Sequence, residues 1–365
     1  MKNQNVLRNI FISIGVLLAL TQLLTAGTRE RVPTTPLVSP QRTFATFDAP
    51  GGHISPSGIN SAGAITGTYY MGSYPDLLFH SFLRTADGTF ITIDPPGSTG
   101  AYVGWSYGLV GSPINAAGAI TGTYTDASFV SHGFLRTADG TFTTFDPPGS
   151  TFTIPQGINP AGAIAGYYFD ADFVGHGFLR APHGTTTEFD VPGAFVTLAG
   201  GINQAGTIAG SYLDANFVEH GFVRAPDGTI TTFDVPDAVF QTTLTGINPA
   251  GAITGHYLDE NFVGHGFLRA SDGTVTTFDP PSSIDTFPVG GINPAGATVG
   301  HYYDGTFGGD HGFLRAPNGT FTNVDVPASL YTAPAVINPA GVITGYYVDA
   351  SGQDHGFLIM SAQRR

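Results

Sequence analysis

One block of sequence, seen most fully as GINPAGAITGHYLDENFVGHGFLRASDGTVTTFDPP from Gly246 to Pro281, recurs seven times along the chain. Three landmarks fix its register. An Ile-Asn step places Asn60, Asn115, Asn159, Asn203, Asn248, Asn293 and Asn338 at spacings of 55, 44, 44, 45, 45 and 45. The second landmark is a histidine before Gly-Phe or Ser-Phe, at His80, His132, His176, His220, His265, His311 and His355. An apolar residue followed by aspartate gives Asp48, Asp94, Asp146, Asp190, Asp234, Asp279 and Asp325. A chain built this way must form a stack or a ring of like units, whatever its 365 residues would otherwise suggest about domain number.

Each unit reads as four short strands. The first ends at Gly-Ile-Asn, and Asn-Pro-Ala-Gly then has Asn at the first position, Pro at the second and Gly at the fourth, as a type I turn prefers. The second strand is Ala-Ile-Thr-Gly-His-Tyr in the quoted unit. His-Gly-Phe-Leu-Arg is the third, and an Asp-Gly, Asn-Gly or His-Gly hairpin joins it to a fourth strand stopped by proline. Phe267 and Leu268 are neighbours and must face opposite sides, so the strand is covered on both. Four strands in about 45 residues predict an all-β, seven-bladed β-propeller of four-stranded blades. The chain ends fit that reading. A lone fourth strand at residues 43–48 precedes the first unit, and the last unit stops after its third, so the N-terminal strand would complete the last blade and leave no exposed edge. A solenoid would need a shorter coil and capping ends.

The pattern Ile-Asn-x-x-Gly-x-x-x-Gly, then His-Gly-Phe-Leu, then Asp-Gly-Thr resembles the bacterial HAF-type extracellular repeats. The likeness spans about residues 43–358, with glycine at Gly133, Gly177, Gly221 and their equivalents, and Ser81 in the first unit, where that family usually has alanine. It implies a secreted repeat protein and assigns no activity.

Charged residues make up 11% of the chain against ~25% in an average soluble protein. The formal net charge is −14 and the only lysine is Lys2, so neither nucleic acid nor an anionic membrane surface is an expected partner. There is no cysteine, hence no disulfide or thiolate site. Residues 1–27 read as a signal peptide, with Lys2 and Arg8 ahead of the apolar run Ile10–Leu20 and small residues at Thr25-Ala26-Gly27. The alternative is an uncleaved membrane anchor, the one route to a membrane, since Asn9–Thr28 carries no charge. Either way the expected location is periplasmic or extracellular. A Pro-rich linker at 28–42, the propeller at 43–358 and a tail at 359–365 complete the division, and a monomer is expected.

Residues present in every unit serve what all units share, which is folding. The histidines are expected to bond the strand-four aspartates or backbone, because a buried polar group must be paired. The asparagines belong to the turns, and Arg84, Arg136, Arg180, Arg224, Arg269 and Arg315 are expected to pair with acids. Function is then sought where units differ. The 1–2 and 3–4 turns share one face. The loops between strands two and three, and from strand four to the next unit, share the other, which is acidic. Two insertions fall there: Tyr69 to His80 spans 11 residues where most units use 8, and Asp94 to Asn115 spans 21 where others use 12 to 14. They bring Tyr70, Tyr74, Asp76, Tyr102, the sole tryptophan Trp105 and Tyr107 to one corner, as a site for a sugar ring or a protein partner. The competing reading makes this insertion, residues 70–79 and 98–110, a plug that covers its own blade or the channel.

Metal binding has little support. Asp170 and Asp172 lie in a loop resembling a calcium loop but without its glycine and closing glutamate. His256 and His301 lack a third ligand. No cofactor is implied. Motifs for serine hydrolases, zinc proteases and phosphate loops are absent. The chain therefore reads as a non-catalytic binding or scaffold module. The alternatives are a glycan-active lyase or hydrolase on the same scaffold, or a purely structural cell-surface protein. An enzyme would show unrepeated carboxylates or histidines converging at the channel mouth.

Overall fold

The computed structural model describes residues 43–72, 77–104, 111–306 and 309–360. These hold 28 strands and no helix. Numbering units by their asparagines, unit three is representative, with strands Phe152–Ile158, Ile164–Phe169, Gly175–Arg180 and Thr186–Phe189 paired antiparallel in chain order. The fourth strand of unit seven comes from the other end of the chain: Thr43–Phe47 pairs antiparallel with Asp354–Met360, Thr43 opposite Met360. No described helix is long and apolar enough to cross a membrane.

Alternation along the third strand explains the packing. Phe82, Phe134, Phe178, Phe222, Phe267, Phe313 and Phe357 are all fully buried or nearly so. Their clusters draw on neighbouring units, as where Ala209 of unit four meets Leu244, Ile253 and Phe267 of unit five. One cluster joins Ile54, Ile65 and Phe82 of unit one to Phe47, Val336 and Leu358 of unit seven. The third strand is thus covered on both faces, with Phe267 fully and Leu268 half buried, which is why these adjacent residues are both apolar, while the fourth strand stays partly exposed.

The inner ends of the units are tied by asparagine. Each Oδ1 accepts from the backbone N–H four residues on, holding the turn, as in Asn159 to Ala163 at 3.0 Å. Each Nδ2 donates to the backbone carbonyl of the next unit's asparagine, at 3.1–3.5 Å, from Asn60 to Asn115 and onward to Asn338, which donates back to Asn60. A buried amide satisfied in this way is a strong positional restraint.

The arginines do not find the acidic partners expected of them. Arg84, Arg180, Arg224, Arg269 and Arg315 lie over Phe47, Phe145, Phe189, Phe233 and Phe278 of the preceding unit's fourth strand, 4.7–5.0 Å from the ring centroids. No arginine–carboxylate salt bridge occurs among the described residues. The cause is position: the third strand delivers the guanidinium to the seam between units, over a ring face, and the hairpin aspartates act on it only through space, as Asp139 does on Arg136 and Asp272 on Arg269.

The unit-two insertion also lies elsewhere than its sequence position suggests. Gly100–Tyr102 already pairs with the second strand, Gly100 opposite Thr125, as the start of the first strand does in unit three. The bridge Ile114–Ile120 resumes that pairing beyond the insertion. The extra residues therefore interrupt the innermost strand instead of preceding it. They enter where units one, three, four, five and seven carry a β-bulge, a position that already tolerates additional residues.

Candidate functional site

At the end away from the asparagine turns, units one and seven enclose a cavity of about 240 Å³. Tyr70, Phe79 and Tyr346 give it aromatic walls, and Ser55, Thr68 and Asp354 supply polar groups. Val103, just inside the unit-two insertion, closes one side. Its carbonyl accepts from Ser57 Oγ at 2.7 Å and its N–H donates to Thr68 Oγ1 at 3.0 Å.

The strands set this arrangement. His53 opens the first strand of unit one, opposite Tyr70 on the second. The rings stack at 4.3 Å with 6° between planes. Tyr70 continues to Phe79 at 5.5 Å and Phe79 to Tyr102 at 5.0 Å. Asp354 opens the third strand of unit seven, and His53 Nδ1 lies 2.8 Å from its Oδ2, a pair 301 residues apart in the chain. Beyond Asp354, Tyr346 sits 5.6 Å from Tyr331.

The local field is negative. Burial raises the Tyr70 phenol above its usual range, and the Asp354 carboxylate adds to this. Burial also raises Tyr346, against a hydrogen bond from Tyr331 and with help from Asp354 and Asp310. Asp310 is itself raised by burial. It precedes His311 as Asp354 precedes His355, so one strand position carries two acids in adjacent units.

Of the six aromatic-corner candidates, the structure brings Tyr70 and Tyr102 to this cavity or its edge. Tyr74, Asp76, Trp105 and Tyr107 lie outside the described residues. His53, Phe79, Tyr346 and Asp354 escaped the sequence reading. The signal for Phe79 and Asp354 was departure from the repeat at the residue just before each histidine, which runs Phe79, Ser131, Gly175, Glu219, Gly264, Asp310 and Asp354.

The remaining candidates divide cleanly. His256 and His301 both pack against Phe287, 5.4 Å from one ring and 5.5 Å from the other. Burial lowers each imidazole to about 4, with His301 adding to the effect on His256, so both are neutral near pH 7. Asp170 Oδ1 accepts from the N–H groups of Asp172 and Val174, a turn role. His176, Glu188 and Asp190 form a cluster with ligand-like spacing. Within it the Tyr168 hydroxyl donates to Glu188 and His176 Nδ1 holds Asp190 at 2.9 Å. The seven repeat histidines each bond the strand-four aspartate through Nδ1 at 2.5–2.9 Å, unit seven using Asp48. A second cavity, about 260 Å³, opens among the asparagine turns. It is lined by repeated turn residues whose polar groups serve the turns themselves.

No family model matches the chain, and no curated relative does. Solved structures do. A streptogramin B lyase is 13% identical with a TM-score of 0.53, covering 87% of this chain and 98% of that one. A virginiamycin B lyase from Staphylococcus aureus is 13% identical with a TM-score of 0.55, covering 88% and 100%. The polysaccharide lyase Uly1 is 13% identical with a TM-score of 0.50, covering 93% and 95%. At these identities the likeness is one of fold, and the fold is β-propeller-like.

Proposed function

We propose that this chain is a secreted or periplasmic, seven-bladed β-propeller that binds a sugar-sized ligand in the cavity between its first and last blades. The observation that carries the reading is the cavity itself, with three aromatic walls and a carboxylate at positions that vary between units. About 240 Å³ equals the volume of roughly eight liquid waters at ~30 Å³ each, enough for one sugar ring. Aromatic faces with a few placed polar groups are what such a ligand needs. The asparagine bonds returning to Asn60 and the pairing of Thr43–Phe47 with Asp354–Met360 support seven blades and closure. The apolar run Ile10–Leu20 supports export. The test is a glycan array followed by calorimetry, comparing wild type with Tyr70→Ala and Tyr346→Ala. A wild type that binds no glycan, or variants that bind as well as wild type, would overturn the reading.

His53 and Asp354 favour a second reading, the glycan-active lyase or hydrolase. A carboxylate that holds one imidazole nitrogen orients the other for proton transfer, and His53 Nε2 has no hydrogen-bond partner among the described residues. The matching folds include two named as a streptogramin B lyase and a virginiamycin B lyase and one named as a polysaccharide lyase. Product analysis on a panel of polysaccharides tests this. Turnover abolished by His53→Gln supports catalysis, and the absence of any turnover leaves the binding role.

A further inference from the structure

Resting on the binding reading, we propose that the cavity selects ligands bearing a positively charged nitrogen, such as an amino sugar or another ammonium group, over their neutral or acidic counterparts. Three independent features carry this. Tyr70, Phe79 and Tyr346 present ring surface around one small space, and ring faces attract a desolvated ammonium. Asp354 lies in the same wall, with one oxygen held by His53 at 2.8 Å, and Asp310, half-buried outside the lining, has no ion-pair partner within 4.0 Å among the described residues and acts through space on Tyr346 of the wall. A half-buried carboxylate without a counter-ion is a vacancy for a cation from outside.

The third feature is the distribution of fixed charge. Every described arginine closes the third strand of its unit, at the 3–4 hairpin end, where Arg84, Arg136 and Arg224 donate to the first turn carbonyl. No described arginine or lysine lies at the cavity end, where strands three begin. Asp126, Asp170, Asp214, Asp259, Asp304 and Asp349 all lie in the loops there. Burial raises the phenols of Tyr70 and Tyr346, and the Asp354 carboxylate adds to both. A uronic acid would enter against this field with no guanidinium to receive it.

The test is calorimetry on the full chain with three probes: a glucosamine oligosaccharide, the N-acetylated oligosaccharide of equal length, and choline. The glucosamine oligomer is expected to bind at least tenfold tighter than the acetylated one at low salt, with the difference shrinking as salt rises. Asp354→Asn and, separately, Asp310→Asn are expected to reduce that preference severalfold while thermal unfolding shows each variant folded. Equal or tighter binding of the acetylated sugar overturns the charge inference and leaves sugar binding intact. Binding of choline with neither sugar upholds the charge inference and overturns the sugar reading. Binding of none of the three overturns both.

Discussion

Asn338 donates from its side-chain amide to the carbonyl of Asn60 at 3.1 Å, across 278 residues of chain. The same side chain accepts from the N–H groups of Ala340 and Val342. It is 2% exposed, so its removal strands buried polar groups on both sides of the junction between the last and first units. Asn338→Ala is expected to cost about 2–4 kcal/mol, measured by chemical denaturation. A loss under about 0.5 kcal/mol would mean that water replaces the amide without penalty.

Histidines held between two aspartates predict a pH dependence. His311 Nδ1 meets Asp325 at 2.7 Å, and Nε2 meets Asp304 at 3.5 Å. Both nitrogens donate only when the ring is charged. The bond to Asp325 raises the His311 value, outweighing burial. Burial opposes the charge at His132, His176 and His355, and there too the paired aspartates prevail. A raised folded value means stabilisation that is complete below the ordinary histidine value of about 6.5 and lost as pH climbs through the folded one. The melting temperature is therefore expected to fall as pH rises above about 6.5, less steeply in His311→Gln. A flat profile for wild type would contradict this.

Four exposed phenylalanines sit where glycine would be cheaper. Phe129, Phe173, Phe217 and Phe262 have φ of 61° to 63°, and Phe129 is 76% exposed. Gly352 fills the matching loop position of unit seven at φ 84°, with the same turn bond to an aspartate three residues back. A bulky side chain in this region costs about 1–2 kcal/mol, more than the extra chain entropy of glycine. Phe129→Gly is thus expected to stabilise the fold by up to about 1 kcal/mol. Phe262→Gly should gain less, because Phe262 stacks on Phe240 at 4.2 Å. Thermal melts of the two variants test the order.

Glycine after the repeat histidine makes room for a ring. A Cβ on Gly177 would come within 2.8 Å of the Phe189 ring. Unit one has Ser81 in that place, and Ile93 in place of the phenylalanine. Gly177→Ala should therefore cost about 1–3 kcal/mol, and adding Phe189→Ile should recover much of it. Additive losses in the double variant would refute the compensation.

Much of the frame was legible because it is written seven times. The hairpin glycines, the asparagine turns and the histidine–aspartate spacing are local, so a single unit displays them. Relations between units were not legible. Strand parity gives the side to which Arg180 points but not that Phe145 of another unit waits there. The bulge that receives the unit-two insertion leaves no mark in a count of residues between Asp94 and Asn115. The cavity was half visible through Tyr70 and Tyr102. Asp354 looked like one more loop acid until its strand was seen to start beside His53. The left-handed phenylalanines were invisible, since nothing in Asp-Ala-Ser-Phe announces a positive φ.

The pairing of Thr43–Phe47 with Asp354–Met360 also sets a timetable. The first strand of the described fold has no partner until the last has been made, roughly 15–60 s later at ~5–20 residues per second. Until then the seam that will hold Phe47 against Arg84 is open, and the chain has an unpaired edge at each end of its sheet array. The closing strand pair therefore forms late, after every other unit has been made. The cavity, walled by the first and last units together with Val103 and Gly104 of unit two, cannot form before those units meet, so ligand binding would report complete assembly.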